Sequence, residues 1–144
     1  MIIQECMSTD VHTISPGTPL RHAAEQMAIN DIGSLPVAEN LRLVGMVTDR
    51  DIAIRGIGMG LGPDAQASEV MSDNALYCYV TDEVSDVLAN MGENQVRRLP
   101  VVTENKQLIG LISISDLVKA QPELGAASLA QVAEPSALHS QTLE

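Results

Sequence analysis

The sequence contains one pattern twice, and this internal repeat constrains the fold more than any other feature. Met7-Ser8 returns as Met71-Ser72, and Leu35-Pro36-Val37 returns as Leu99-Pro100-Val101. The offset between the copies is 64 residues up to the Leu-Pro-Val run and 65 residues after it, because the second copy has one extra residue between Thr103 and Gln107. Two copies of one supersecondary unit predict a pseudo-twofold pair with two related clefts.

Each copy predicts the element order strand, helix, strand, strand, helix. Apolar residues spaced i, i+3, i+4, i+7 begin at Leu20 and again at Val84, and this spacing is typical of one helix face. Thr18 and Asp82 precede these two runs and are the predicted helix N-caps. Short extended runs stand before each helix, and two apolar runs separated by a polar turn follow it. The fold class is therefore predicted as α/β (α+β).

The pattern divides the chain into four segments. Residues 3–58 form the first copy, 59–67 a glycine-rich connector, 68–120 the second copy and 121–144 a tail. Each copy has only about 50 residues, too few for an independent core, so the two copies are expected to pack on each other. The tail is rich in Ala, Ser, Gln and Glu and contains neither Lys nor Arg, which predicts a flexible segment with at most a fragile helix near 126–133.

Charge and composition exclude several classes of function. A net charge of -11 argues against a nucleic-acid partner, and two tyrosines as the only aromatic residues argue against stacking on single strands. No apolar run approaches the roughly 20 residues of a membrane span, and the N-terminus does not follow the signal-peptide pattern. Two cysteines are too few for a disulfide framework. These features predict a cytoplasmic protein with reduced thiols and no membrane partner.

No residue pattern predicts catalysis. His12, His22 and His139 show no spacing that pairs them with each other or with a cysteine, so metal ligation is not predicted. Neither Cys6 nor Cys78 has a plausible base nearby in sequence, and both are expected to be small packing residues. The chain is therefore predicted not to be an enzyme and to have no catalytic residues.

The strongest candidate for ligand binding is the repeated element Gly-h-h-Thr/Ser-x-x-Asp, where h is apolar. It spans Gly45 to Asp51 in the first copy and Gly110 to Asp116 in the second. In a structural interpretation, Thr48 and Ser113 are helix N-caps and the final aspartate completes a capping box worth about 1 kcal/mol. In a functional interpretation, the same aspartate accepts hydrogen bonds from the hydroxyls of a ribose, and the glycine permits close backbone approach.

Two arginines make the copies unequal. Arg97 and Arg98 precede the second Leu-Pro-Val run, at positions that carry Gly33 and Ser34 in the first copy. The planar guanidinium fork suits phosphate because it donates paired hydrogen bonds. A solvated ion pair with an acidic neighbour is the alternative role for these arginines. The difference predicts that the better nucleotide cleft uses Asp116 with Arg97 or Arg98.

These motifs resemble those of the cystathionine β-synthase (CBS) domain family, specifically a tandem CBS pair, or Bateman module. The match runs from about Ile3 to Lys119 and includes the Met-Ser, Leu-Pro-Val and Gly-h-h-Thr/Ser-x-x-Asp motifs of both copies. The chain resembles the stand-alone bacterial two-CBS proteins of the hypoxic-response type. The resemblance implies two β-α-β-β-α repeats packed sheet to sheet about a pseudo-twofold axis, and frequent homodimers built through helices.

The resemblance also implies a ligand and a role. An adenosine-containing molecule such as AMP, ADP, ATP, NAD or S-adenosylmethionine would bind as a regulatory ligand rather than a required cofactor, and the module would signal to an unidentified protein target. The family pattern assigns contacts for adenine, ribose and phosphate. They are backbone near Thr13, Ile14, Cys78 and Tyr79 for adenine, the side chains of Thr48, Asp51, Ser113 and Asp116 for ribose, and Arg97 or Arg98 for phosphate.

Two other classes of function stay open at this point. One is a stress-related structural or protein-interaction module whose clefts remain empty. The other is a metal or redox sensor that uses Cys6, Cys78 and His12. The first copy departs from the family pattern because it has no basic residue before Leu35.

Overall fold

The structure is a computed structural model that describes residues 1–133, and it has the predicted mixture of helices and strands. Two sheets contain the strands β1 Ser34–Glu39, β2 Arg42–Thr48, β3 Cys78–Tyr79, β4 Arg98–Val102 and β5 Leu108–Ser113. The α-helices are α1 Leu20–Asn30, α2 Asp49–Asp51, α3 Val84–Asn94, α4 Ile114–Ala120 and α5 Pro122–Ala133. Within the described range, every helix is too short or too polar to cross a membrane.

The described chain forms two compact units whose boundaries differ from those of the repeats. The first-repeat unit is His12–Ala75, and the second-repeat unit combines Met1–Val11 with the described chain from Leu76 to Ala133. The segment before the first copy's helix therefore starts in the unit of the second copy. The corresponding stretch of the second copy, up to Ala75, lies in the unit of the first. The repeat boundaries in the sequence do not indicate this exchange.

The first-repeat unit is built on an antiparallel hairpin. β1 pairs with β2 so that Leu35 lies opposite Val47. The extended run before α1 contributes a single parallel bridge, between Ile14 and Val37, rather than the predicted strand. Helix α1 buries one face against this hairpin, as its apolar spacing predicts. The core consists of Ile14, Leu20, Ala23, Met27, Leu35, Val37, Val47, Ala67 and Val70.

The second-repeat unit has a three-stranded sheet in the order β3-β4-β5. β3 runs parallel to β4 with Cys78 opposite Val101, and β4 runs antiparallel to β5 with Leu99 opposite Ile112. Helix α3 buries the predicted apolar face against this sheet. The core consists of Ile3, Cys78, Val84, Val87, Leu88, Met91, Val96, Leu99, Val101, Ile112, Ile114, Leu117 and Val132.

The predicted N-caps of α1 and α3 were wrong. The residue after each predicted cap occupies the N-cap position, without a side-chain hydrogen bond. Thr18 Oγ1 instead accepts a hydrogen bond from the backbone N–H of Ser15 at 3.0 Å, and Asp82 Oδ2 accepts one from that of Tyr79 at 2.9 Å. Such local bonds from a side chain to the backbone stabilise turns, so both residues shape the turn that leads into the helix.

The two Met-Ser segments bind to the strand that ends in the other copy's capping element. Ser8 and Leu111 exchange backbone hydrogen bonds of 3.0 and 2.9 Å, and Ser72 and Met46 exchange bonds of 3.0 and 3.1 Å. Each pair is an antiparallel bridge, to β5 and to β2 respectively. The Met-Ser motif of each repeat therefore has a structural role in the unit of the other repeat.

The glycine of the repeated element is explained by this contact. A Cβ atom at Gly45 would lie 2.8 Å from the carbonyl oxygen of Ser72, and one at Gly110 would lie 3.0 Å from that of Ser8. The sulfur atoms of the preceding methionines would lie 2.9 and 2.7 Å away. The close backbone approach predicted from the motif is real, and the approaching group is the Met-Ser segment.

The prediction that the tail at 121–144 is flexible is wrong for the first part of that segment. Helix α5 packs against α3 and α4, and Val132 is buried in the core of the second-repeat unit. Gly125 permits this packing, since a Cβ atom there would lie 2.5 Å from Cγ2 of Val118. Small residues thus bring α5 close to its neighbours, although composition alone favours disorder. The part of the tail at 134–144, with His139, lies outside the described residues.

Candidate functional site

The repeated element of the second-repeat unit forms the end of β5 and the first turn of α4. Ser113 Oγ accepts a hydrogen bond from the backbone N–H of Asp116 at 3.1 Å, and Asp116 Oδ2 accepts one from that of Ser113 at 3.2 Å. The predicted capping box is therefore present. Both residues are partly exposed, and the box employs Oδ2 while Oδ1 of Asp116 lies outside it.

Both arginines lie beside this element. Arg98 is the register partner of Ser113 across β4 and β5, and the carbonyl oxygen of Arg97 accepts a hydrogen bond from the backbone N–H of Ile114 at 2.8 Å. Arg97 is exposed and Arg98 is half-buried. The structure thus brings the predicted phosphate-binding and ribose-binding residues to one end of the sheet.

Cys78 and Tyr79, predicted to contact adenine through their backbone, lie at the other end of β4. They pair with Val101 and Val102, three and four residues along the strand from Arg98. At about 3.3 Å per residue, the separation along the strand is roughly 10–13 Å. Cys78 is buried in the core, whereas Tyr79 is half-buried.

Two tyrosines and a lysine surround β3. The rings of Tyr77 and Tyr79 pack edge to face with centroids 5.6 Å apart, and the hydrogen bond with Tyr77 raises the pKa of Tyr79. Lys106 Nζ lies 5.1 Å from the centroid of the Tyr77 ring, within the range of a cation–π contact. The corresponding residue to Tyr79 in the first copy is Ser15, so the aromatic pair is specific to the second-repeat unit.

The cysteines do not favour metal or redox chemistry. Burial raises the pKa of the Cys78 thiol to about 12, and burial followed by the negative charge of Asp116 raises the pKa of Cys6. A protonated thiol is a poor nucleophile and a poor metal ligand. Across residues 1–133, the structure has no group of three His, Cys, Asp or Glu side chains that could hold a metal ion. The sensor hypothesis based on Cys6, Cys78 and His12 therefore gains no structural support.

A cavity of about 180 Å³ lies elsewhere in the second-repeat unit. It was not predicted, because its lining comes from three elements that no motif connects. Cys78 is the one predicted site residue in its wall, so this cavity is distinct from the predicted ribose and phosphate contacts. The lining residues are Tyr77, Cys78, Asp82, Asp86, Val87, Asn90 and Leu99.

The element of the first-repeat unit has the same hydrogen bonds but is closed to solvent. Thr48 and Asp51 form the capping box through bonds of 3.0 Å in each direction. Thr48 is 6% exposed and Asp51 is 3% exposed. Oδ1 of Asp51, the oxygen outside the box, lies 4.0 Å from Nε of Arg55. The assignment of Thr48 and Asp51 to ribose stays a prediction, and the burial of both residues opposes it.

The other positions of the first copy that were predicted to contact the ligand are also poorly suited to it, because their groups already have hydrogen-bond partners or carry no cation. The backbone N–H of Ile14 donates to the carbonyl oxygen of Pro36 at 3.1 Å, and its carbonyl oxygen accepts from Ala38 at 2.9 Å. Thr13 is exposed next to it. Ser34 occupies the position of Arg98, and its buried Oγ has no hydrogen-bond partner among the described residues. In the first-repeat unit, the backbone groups of Ile14 are thus already hydrogen-bonded, and the position equivalent to Arg98 carries no guanidinium.

Sequence reasoning missed Arg55. The signal was present, because Arg55 follows Asp51 by four residues, a spacing that brings side chains together on a helix. The repeated motif ends at the aspartate, so the motif alone does not include this difference between the copies.

Comparison with known proteins identifies the family. The family model described as CBS domain matches residues 3–56 and 67–123, which include both repeats. Two CBS domains in tandem account for the doubled motifs and for the two units of the fold. The chain belongs to the CBS-domain family, as the motifs predicted.

Individual relatives support this assignment. Hypoxic response protein 1 of Mycobacterium tuberculosis is 37% identical over 122 residues, which cover 83% of this chain and 85% of that protein. The CBS domain-containing protein YhcV of Bacillus subtilis is 36% identical over 119 residues, which cover 83% and 84% respectively. The relatives are thus stand-alone CBS proteins of similar length.

Solved structures share the fold. A crystal structure of Hypoxic Response Protein I with two coordinated zinc ions has a TM-score of 0.77 at 35% identity, covering 85% of this chain and 100% of that one. A crystal structure of CBSX2 in complex with AMP has a TM-score of 0.75 at 23% identity, covering 85% and 97%. The second similarity concerns the fold alone.

Proposed function

We propose that this protein is a non-catalytic regulatory module that binds an adenosine-containing nucleotide at the second repeat and signals to a protein partner. The observation that carries the proposal is the partly exposed Asp116 in a capping element that lies next to the backbone of Arg97 and Arg98. AMP, ADP and ATP are the first candidates, and NAD and S-adenosylmethionine belong to the same class. The AMP complex of CBSX2 supports this choice, because that protein has the same fold.

The chemistry of these residues fits the two polar parts of a nucleotide. Oδ1 of Asp116 takes no part in the capping box and can accept hydrogen bonds from ribose hydroxyls. The guanidinium groups of Arg97 and Arg98 can donate paired hydrogen bonds to phosphate. The net charge of -11 repels an anionic ligand at long range, so a local pair of cations is needed to hold it. The backbone at Cys78 and Tyr79 lies within the length of a nucleotide from this pair.

Thermal unfolding with a panel of adenosine ligands tests the proposal. A ligand present at 100 times its dissociation constant stabilises the folded state by about 2.7 kcal/mol. This corresponds to an increase in Tm of about 5–11 °C for a chain of this length. If millimolar concentrations of every ligand leave Tm unchanged, the nucleotide proposal fails and the interaction module with empty clefts becomes the better hypothesis.

A pair of matched variants locates the site. Asp116→Ala and Asp51→Ala each remove one capping box at a cost of about 1 kcal/mol, and Asp51→Ala also removes the carboxylate that pairs with Arg55, so it should be the less stable of the two. We expect Asp116→Ala to weaken nucleotide binding by more than tenfold and Asp51→Ala to leave it nearly unchanged. Calorimetric titration at a temperature where both variants are folded measures the difference. The reverse ranking would contradict the assignment to the second repeat.

The arginines are tested by comparing ligands with and without phosphate. Arg97→Ala and Arg98→Ala should weaken the binding of AMP while leaving the binding of adenosine unchanged, because adenosine lacks the phosphate. Equal loss for both ligands would instead indicate a structural role for these side chains.

A homodimer in the cytoplasm is part of the same proposal, and analytical ultracentrifugation of the purified protein measures the oligomeric state.

A further inference from the structure

We propose that Arg55 closes the site of the first repeat, so that each chain binds one nucleotide rather than two. The inference rests on the proposed function, because it concerns the same class of ligand. The repeated elements of the two units have the same hydrogen bonds and differ in what lies next to the aspartate.

Arg55 pairs with the carboxylate of Asp51, the group that a ribose would need as a hydrogen-bond acceptor. Its Nε lies 4.0 Å from Oδ1 of Asp51, an ion-pair distance, and its Nη1 donates to the carbonyl oxygen of Val70 at 3.4 Å. The Asp51 side chain is only 4% exposed beneath it. Because Oδ2 already accepts from the backbone N–H of Thr48, both carboxylate oxygens of Asp51 have a partner within the unit. A ribose could contact Asp51 only after displacing the guanidinium.

The second repeat has no cation at the position equivalent to Arg55. The offset of 65 residues places Ala120 at the position of Arg55, and a methyl group makes no ion pair with Asp116. The helix backbones differ as well, since α4 is a regular helix whereas α2 continues as a π-helical turn, Ile52–Gly56, that contains Arg55. Turns of this kind are rare inside helices and are associated with functional positions. Both differences lie directly behind the aspartate of the element.

The distribution of charge also separates the two repeats. In the second repeat, Arg97 and Arg98 provide cations next to the repeated element. The residue four positions after Asp116 is Ala120, which carries no charge. In the first, the Arg98 position is Ser34, and the guanidinium lies on the aspartate instead. The first repeat therefore blocks the ribose contact and has no cation at the position of Arg98, which predicts a single occupied site.

Stoichiometry tests this inference. Isothermal titration of the full chain with AMP, ADP and ATP in turn should give one site per chain, and Asp116→Ala should weaken binding at that site by more than tenfold. Arg55→Ala, which installs the residue type of Ala120, should add a second, weaker site that Asp51→Ala in the same chain removes again. Arg21→Ala is the matched control, because it removes an exposed arginine of the same unit and should leave one site.

The outcomes separate the two proposals. A wild-type chain that binds none of the three nucleotides overturns the proposed function and this inference with it. Two sites in the wild-type chain, or an unchanged affinity in Asp116→Ala, overturn the inference and leave nucleotide binding intact. If Arg55→Ala folds and still binds only one nucleotide, the inference also fails. If that variant does not fold, the wild-type stoichiometry and the Asp116→Ala titration decide the matter.

Discussion

Replacing Gly45 with alanine tests how closely the Met71-Ser72 segment packs on β2. The new Cβ atom would lie 2.8 Å from the carbonyl oxygen of Ser72 and 2.9 Å from the sulfur of Met71. The sulfur is on a flexible side chain and can move, but the carbonyl oxygen belongs to the backbone. It also accepts the hydrogen bond from the backbone N–H of Met46, so a shift that relieves the clash disturbs the bridge to β2.

The expected loss of stability follows from two opposing effects. Inserting a methyl group into a well-packed region costs about 1–3 kcal/mol. Replacing glycine by alanine also restricts the unfolded chain, which stabilises the protein by about 0.4–1 kcal/mol where the backbone conformation is compatible. The net loss should be about 1–2 kcal/mol, which lowers Tm by about 3–8 °C for a chain of this length.

Urea unfolding followed by circular dichroism measures this loss. Gly62→Ala is the matched control, because a Cβ atom at Gly62 meets nothing within 4 Å, and its stability should be unchanged or slightly higher. Gly110→Ala should cost less than Gly45→Ala, since its closest contact is the movable sulfur of Met7 and the backbone oxygen lies at 3.0 Å. Equal stability of Gly45→Ala and Gly62→Ala would refute the packing argument.

Two further predictions concern the second-repeat unit. Because burial raises the pKa of Cys78 to about 12, the folded thiol keeps its proton between pH 9 and pH 12 while the unfolded thiol loses it. The contribution of Cys78 to the free energy of unfolding should therefore fall as pH rises through this window, by up to about 1.4 kcal/mol per pH unit, and Cys78→Val should remove that slope in urea titrations at several pH values. Gly125→Ala should lower Tm despite the higher helix propensity of alanine, because its Cβ atom would lie 2.5 Å from Cγ2 of Val118. An increase in Tm on differential scanning calorimetry would show that α5 is not packed closely.

The sequence predicted the parts of the fold that depend on local pattern. The i, i+3, i+4, i+7 spacing gave α1 and α3, and the doubled Gly-h-h-Thr/Ser-x-x-Asp element gave the capping boxes at Thr48 and Ser113. The family followed from the same motifs. These features succeed because each is determined by neighbouring residues and appears twice.

Features that depend on distant packing were not predicted. Burial of Asp51 depends on how the rest of the first-repeat unit packs around it, which the motif itself does not specify. Helix α5 depends on small residues such as Gly125 meeting α3 and α4, and composition counts such residues as weakly hydrophobic. The exchange of the Met-Ser segments has no sequence signature, because the repeat offset is the same whichever strand each segment joins.

That exchange makes the two halves of the chain mutually dependent. Each Met-Ser segment covers an edge of a strand encoded by the other half, at Leu111 in β5 and at Met46 in β2. A peptide containing a single repeat would leave that edge open and its own segment unbound, a combination that favours reciprocal swapping between two molecules. Cleaving the connector at 59–67 would therefore turn these backbone bridges into contacts between separate polypeptides, whose survival would depend on their concentration.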